Sequence, residues 1–261
     1  MSAGHGAPGW TPSVRILPDA AAVQRAGAEA VAARLEAAVR ARGVAFLALS
    51  GGSTPKGLYA QLADPAGPFR ARVPWQAVHV FWGDERHVPP DHPESNYRLA
   101  HDGLLAHVPV PPAHVHRIRG EEPDAAVAAA AYAREMAGAF GAHGRLEDGW
   151  PRFDLALLGM GADGHTASLF PGTDAVHEAT RWAVAVWVPQ LQAHRISLTA
   201  PVLNRAAAVV FLVTGAEKAE TLAAVLEGPR RVDVYPSQAV RPVGGELLWL
   251  VDRAAGARLA G

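Results

Sequence analysis

"RFDLALLGMGADGHTASLFPG", residues 152–172, runs an apolar strand pattern straight into a glycine-rich turn. Gly159, Gly161 and Gly164 have the G-x-G-x-x-G spacing that, in a dinucleotide-binding fold, lets the backbone wrap a pyrophosphate. The charge is wrong for that ligand, because Asp163 sits among the glycines and His165 follows them. The acid that such folds place about 20 residues later, for the ribose hydroxyls, is also missing. That region reads RWAVAVWVPQ. The glycines therefore make a tight turn at the end of a buried strand, and the turn carries an acid and a titratable base.

The same strand-then-turn grammar recurs on both sides. "VAFLAL" (44–49), "AVHVFW" (77–82), "RWAVAVWV" (181–188), "AAVVFLV" (207–213) and "ELLWLV" (246–251) are short apolar runs of the kind buried in parallel sheets. Helix-like segments separate most of them. From Asp19 to Arg42 the chain is alanine-rich, with Val23, Val31, Leu35 and Val39 near helical spacing, and it stops at Gly43. Alternating strands and helices predict an α/β fold: a Rossmann-like, doubly wound, mostly parallel sheet with helices on both faces. In such sheets ligands bind beyond the carboxyl ends of the strands, so the loops after these runs are where function is sought. Residues 1–18 are Gly/Pro-rich and expected to be flexible; residues 19–261 are expected to form a single α/β domain. Pro109 to Pro112 reads as a loop.

Composition narrows the function classes. Lys and Arg number 24 against 25 Asp and Glu, for a formal net charge of −1, so no basic field attracts a nucleic-acid backbone. With no cysteine there is no disulfide, thiolate metal site or cysteine nucleophile. The opening "MSAGHGAPGW" has neither the basic start nor the apolar run of an export signal, and no window reaches the length of a membrane span. A cytoplasmic protein with no nucleic-acid or membrane partner is the expectation.

Three loops hold the candidate chemistry. In "LSGGSTPKGLY" Gly51 and Gly52 free the backbone, Thr54 is suited to cap a helix and Pro55 to open it. Backbone N–H groups there, with the Ser53 and Thr54 hydroxyls, suit an anion, although a strand-to-helix turn without a ligand would look the same. A P-loop is excluded because Lys56 precedes Gly57, and G-x-S-x-G fails at Pro55. After the second strand, "GDER" places Asp84, Glu85 and Arg86 at the strand's mouth, where a solvated loop is the alternative. In the opening stretch, His165 is the side chain whose ordinary pKa suits proton transfer near neutrality, and Asp163 can orient it. A histidine that merely caps the next helix is the alternative.

In "VTGAEKAETLAAVLEG" Thr214 reads as a helix cap, putting Lys218 near the positive end of a helix, where an anion would relieve it. Arg195, opening "RISLT", can bind phosphate oxygens bidentately. A metal read from His87 and His92, or from His114 and His116, lacks a ligand set. Lys56, His87 and His92 receive no role.

Taken together, "LALSGGSTP", "WGDERHVPPDHPESNYRLA", "FDLALLGMGADGHTASLFPG", "HRISLTAPVLNRA" and "VTGAEKAE" resemble the 6-phosphogluconolactonase family, within the larger group that includes glucosamine-6-phosphate deaminases. The resemblance spans about residues 47 to 220. It implies a hydrolase of the oxidative pentose phosphate pathway acting on 6-phospho-D-glucono-1,5-lactone, a sugar-phosphate lactone, with no metal or cofactor. It also implies His165 as general base with Asp163 beside it, and Gly51, Gly52, Ser53, Thr54, Arg195 and Lys218 as a phosphate pocket. Asp84 and Arg86 then flank the substrate. The alternative enzyme is the deaminase, whose segment G-H-I-A-F-N-E-P carries a glutamate before the proline; here "GHTASLFP" places Phe170 at that position. A non-catalytic sugar-phosphate sensor is a further alternative, but the residues before Asp19 are too few for a helix-turn-helix. Assembly is expected to be a monomer or small homo-oligomer.

Overall fold

The computed structural model describes residues 12–260. Its order is β1 (Ser13–Leu17), α1 (Ala20–Arg42), β2 (Ala45–Leu49), α2 (Ser53–Ala63), β3 (Val78–Trp82), β4 (Asp84–Arg86), α3 (Asn96–Gly103) and α4 (Ala125–Ala142). Next come β5 (Leu146–Glu147), β6 (Trp150–Pro151), β7 (Leu155–Gly159), β8 (Ala183–Val188), β9 (Ala193–Leu198), α5 (Ala200–Leu203), β10 (Ala208–Val213), α6 (Ala219–Leu226) and β11 (Glu246–Asp252). Five of the six apolar runs become strands of one parallel sheet, ordered β1-β11-β10-β7-β2-β3.

The sheet is covered on both faces. Register puts Phe46, Phe81 and Phe211 on one face and Leu47 and Leu212 on the other, because side chains alternate along a strand. The Phe46 face meets α4, whose Phe140 ring lies 4.2 Å from that of Phe46 and 5.3 Å from that of Phe81. The Leu212 face meets α1 and α2, where a Cβ on Gly27 would run into Leu58 and Leu212. At its start α1 is capped by the Asp19 carboxylate, which accepts from the Ala22 N–H at 2.8 Å, and Gly43 ends it.

The winding of the chain reverses between β2 and β7, which run parallel to each other. From β2 the chain crosses to β3 on one side; from β7 it crosses to β10 on the other. The crevice between their carboxyl ends is therefore a topological switch point.

Two expectations are corrected. "RWAVAVWV" is not a strand of the parallel sheet: β8 pairs antiparallel with β9, and β9 with β4, in a separate three-stranded sheet. Of the segment expected to be flexible, residues 1–11 lie outside the described residues, whereas 13–17 form β1, paired along its length with β11. Among the described residues no helix is long and apolar enough to cross a membrane.

Candidate active site

A cleft of about 540 Å³ opens at the switch point. Gly51, Gly52, Ser53, Thr54, Asp84, Arg86, Asp163, His165, Arg195 and Lys218 all line it, although they come from five separate segments. A groove of similar size, about 530 Å³, lies between α4 and β8, but alanines dominate its wall and no histidine or carboxylate faces it.

The loop after β2 is shaped by close approach. Gly52 has φ +106°, a conformation other residues rarely adopt, and a Cβ at Gly51 would collide with the Asn96 carboxamide. The helix starts earlier than the sequence suggests: α2 begins at Ser53 with Gly52 as its cap, and no side chain caps it. Thr54 is instead bonded through its hydroxyl to that of Thr214 at 2.8 Å, tying the ends of β2 and β10 together. Thr214 caps no helix either, and Lys218 itself occupies the cap position of α6. Burial pushes the Lys218 ammonium below the ordinary lysine range, with Glu217 and Asp252 opposing the shift.

The turn after β7 holds the dyad. His165 Nδ1 and Asp163 Oδ1 are 2.5 Å apart, and the same oxygen accepts from the His165 backbone N–H at 3.1 Å. Burial raises the Asp163 carboxyl, but the hydrogen bond and charge of His165 outweigh it, and the group lies below the usual aspartate range. The Phe170 ring stacks on the imidazole with centroids 4.2 Å apart and planes 25° apart. The turn is fastened from outside: Ser237 Oγ donates to the Gly164 carbonyl at 2.7 Å and Thr221 Oγ1 to the Ala162 carbonyl at 2.6 Å. The first helical turn after His165 begins only at Asp174, so His165 caps no helix.

On the opposite wall Asp84 is buried, and its two carboxylate oxygens are held separately. Ser168 Oγ donates to one at 2.6 Å and Asn96 Nδ2 to the other at 3.2 Å. Arg86 and Arg195 are register partners on β4 and β9. Burial first, then the neighbouring Arg86 charge, lowers the Arg195 pKa. Two guanidiniums side by side make this wall attractive to an anion.

Glu85, between these residues, has a different job. Its carboxylate accepts from the N–H groups of Arg86, Asn96 and Tyr97, each at 2.7 Å, and from Ser95 Oγ at 3.0 Å. It organises the start of α3, and burial raises its pKa despite those bonds.

Ser168, Asn96, Gln190 and Leu191 also line the cleft and are not singled out by sequence reasoning. Ser168 and Asn96 lie inside motifs that are visible in the sequence, but their target is Asp84, which no spacing rule reveals. Lys56, His87 and His92 are not part of the lining. His116 is buried instead beside His79, their ring nitrogens 2.9 Å apart. Among the described residues no three His, Asp or Glu side chains are arranged to hold a metal ion.

The family described as glucosamine-6-phosphate isomerases/6-phosphogluconolactonase matches residues 18–249. The chain belongs to this family. Within the glucosamine-6-phosphate isomerase/6-phosphogluconolactonase family, a 6-phosphogluconolactonase from Nostoc is 39% identical over 249 residues, 95% of this chain and 98% of the relative. Another, from Synechocystis, is 43% identical over 230 residues, 88% of this chain and 90% of the relative. The solved structure of 6-phosphogluconolactonase from Trypanosoma brucei superimposes with a TM-score of 0.84 at 28% identity, covering 97% of this chain and all of that one.

Proposed function

We propose that this protein hydrolyses 6-phospho-D-glucono-1,5-lactone to 6-phospho-D-gluconate, with His165 as the general base. The observation that carries the reading is the His165–Asp163 dyad, 2.5 Å apart, in a cleft that Lys218, Arg86 and Arg195 also line. Asp163 accepts the Nδ1 proton, which leaves Nε2 as the basic nitrogen. Relatives named 6-phosphogluconolactonase, 39% and 43% identical over most of the chain, support the substrate.

In this mechanism His165 Nε2 takes a proton from water as the water oxygen bonds to the lactone carbonyl carbon. The imidazolium is stabilised by Asp163. When the tetrahedral intermediate collapses, the bond from that carbon to the ring oxygen breaks, and His165 returns the proton to the departing oxygen. The product acid then ionises in solution. Gly51, Gly52, Ser53, Thr54, Lys218 and Arg195 hold the phosphate, Arg86 flanks the ring, and Asp84 stands with His165 and Asp163 as a catalytic residue against the reacting ring. A correctly placed donor to the developing oxyanion is worth about 3 to 4 kcal/mol, and Arg86 and the glycine-turn N–H groups are the donors at hand.

Phe170 argues against the deaminase reading, since a phenylalanine neither carries a proton nor supports a charged histidine as a carboxylate does. The near-neutral chain carries no field for nucleic acid. Residues 19–261 act as one catalytic domain, cytoplasmic, as a monomer or small homo-oligomer, with a small sugar-phosphate lactone as partner. The test is twofold: loss of fresh 6-phosphogluconolactone over its spontaneous breakdown, and ammonium release from glucosamine 6-phosphate. Acceleration of the first without the second is expected; ammonium release without lactone hydrolysis overturns the reading.

A further inference from the structure

Two buried tyrosine hydroxyls do the same job at neighbouring strand ends. On α2, Tyr59 Oη donates to the Ser50 carbonyl at 2.6 Å and accepts from the Ser50 N–H at 3.1 Å. On α4, Tyr132 Oη donates to the Trp82 carbonyl at 2.9 Å and accepts from the Trp82 N–H at 2.9 Å. Both side chains are buried. Main-chain groups at a strand end are ordinarily satisfied by the next strand. Here that partner is missing in both places: β3 is the edge of the sheet, and the registered pairing of β2 with β7 stops at Ala48.

A phenol can donate one hydrogen bond while accepting another, so a single hydroxyl replaces the absent strand partner. Of the two clamped residues Ser50 lines the cleft itself, and Trp82 is buried just upstream of its wall. Ser50 immediately precedes the Gly51–Thr54 loop, and Trp82 is separated from Asp84 by one glycine. That glycine is itself fixed: the Gly83 N–H bonds the Leu49 carbonyl, and its own carbonyl accepts from Leu198, each at 2.8 Å. A shift at Trp82 therefore passes to Asp84 rather than being absorbed between them.

We propose that Tyr59 and Tyr132 are positioning residues with separable effects: Tyr59 sets the loop that binds the phosphate, and Tyr132 sets Asp84 for the chemical step. The proposal rests on the hydrolytic reading of the cleft. Phenylalanine at either position keeps the packing but strands a buried N–H and a buried carbonyl, which relax at the expense of local geometry.

The experiment compares Tyr59→Phe, Tyr132→Phe and Val31→Ala, the last a buried truncation on α1 that does not line the cleft. Each is measured for kcat and KM on fresh lactone, for affinity toward inorganic phosphate by calorimetry, and for melting temperature. Tyr59→Phe is expected to raise KM and weaken phosphate binding about tenfold with kcat within about twofold. Tyr132→Phe is expected to lower kcat about tenfold with KM and phosphate affinity within about twofold. Val31→Ala lowers the melting temperature alone. If either phenylalanine variant does not fold, 4-aminophenylalanine, which keeps a donor, takes its place and is expected to show the same split in weaker form.

Kinetic constants that do not change, or that all move together with melting temperature in the three variants, overturn the proposal. If the unaltered protein does not hydrolyse the lactone, the reaction assignment falls and the Asp84 half with it. Phosphate affinity then still decides the Tyr59 half: unchanged affinity in Tyr59→Phe refutes it.

Discussion

Replacing Asp163 by asparagine removes one charge and almost no volume, and so isolates what the carboxylate contributes to His165. With Nδ1 and Oδ1 2.5 Å apart, the charge centres of the pair are about 4 Å apart, for which the attraction is about 1 kcal/mol in bulk water and about 4 kcal/mol at an effective dielectric of about 20. The Asp163 side chain is 43% exposed and that of His165 29%, so screening places the pair between those limits. About 2 kcal/mol is then lost from the imidazolium-bearing transition state, equivalent to a fall in kcat of about 30-fold. A carboxamide that turns its NH2 toward Nδ1 would favour the wrong tautomer and deepen the loss. Because the Asp163 pKa is lowered, its support is present above the ordinary carboxylate range and is lost as pH falls through the lowered value. The assay is hydrolysis of freshly generated lactone at neutral pH, read over seconds against spontaneous breakdown, with circular dichroism to confirm folding. A folded Asp163→Asn protein with kcat within about threefold of the unaltered enzyme would refute the assignment of Asp163 as the group that stabilises the charged base.

Lys218→Met is expected to raise KM for the lactone by about tenfold or more while leaving the fold intact. In the unaltered protein KM should climb on the alkaline side at lower pH than an exposed lysine would dictate, since burial lowers the Lys218 pKa; steady-state kinetics across pH checks both. His79, whose pKa burial and its histidine neighbours push down to about 3, binds a proton more readily in the unfolded chain. Stability is therefore lost progressively as pH falls from about 6.5 toward 3, and His79→Phe should flatten that loss in thermal melts. Asp154, buried at the start of β7, accepts from the Phe46 N–H and pairs with Arg42 and Arg145. Asp154→Ala is expected to cost about 3 kcal/mol in denaturant unfolding, because it leaves the mostly buried Arg145 without its partner.

The parallel sheet was legible because β2, β7 and β10 are continuous apolar runs, and β3 is one broken only by His79, as suits strands covered on both faces. The first helix announced itself through Asp19 and Gly43. β1 was not legible: as an edge strand it is largely exposed, and SVRIL carries no burial pattern to read. β8 looked like a further parallel strand because an apolar run records burial and not partner, and its partner β9 carries a histidine and an arginine, His194 and Arg195, near its start. At the site, His165 and the Gly51–Thr54 loop were legible because each lies just past the carboxyl end of a buried strand. Thr54 and Thr214, 160 residues apart, each looked like a helix cap, since a hydroxyl beside a helix start has the same sequence signature whether it caps or bonds across the fold. The Ser168 bond to Asp84 spans 84 residues, and neither residue type predicts it.

The most direct test of the central claim is lactone hydrolysis by the unaltered protein beside His165→Ala, both shown to be folded. The expected result is acceleration well above the spontaneous rate by the former and none by the latter. Equal acceleration by both would contradict the claim, because the base would then lie elsewhere and the Asp163–His165 dyad would be a fastening of the turn.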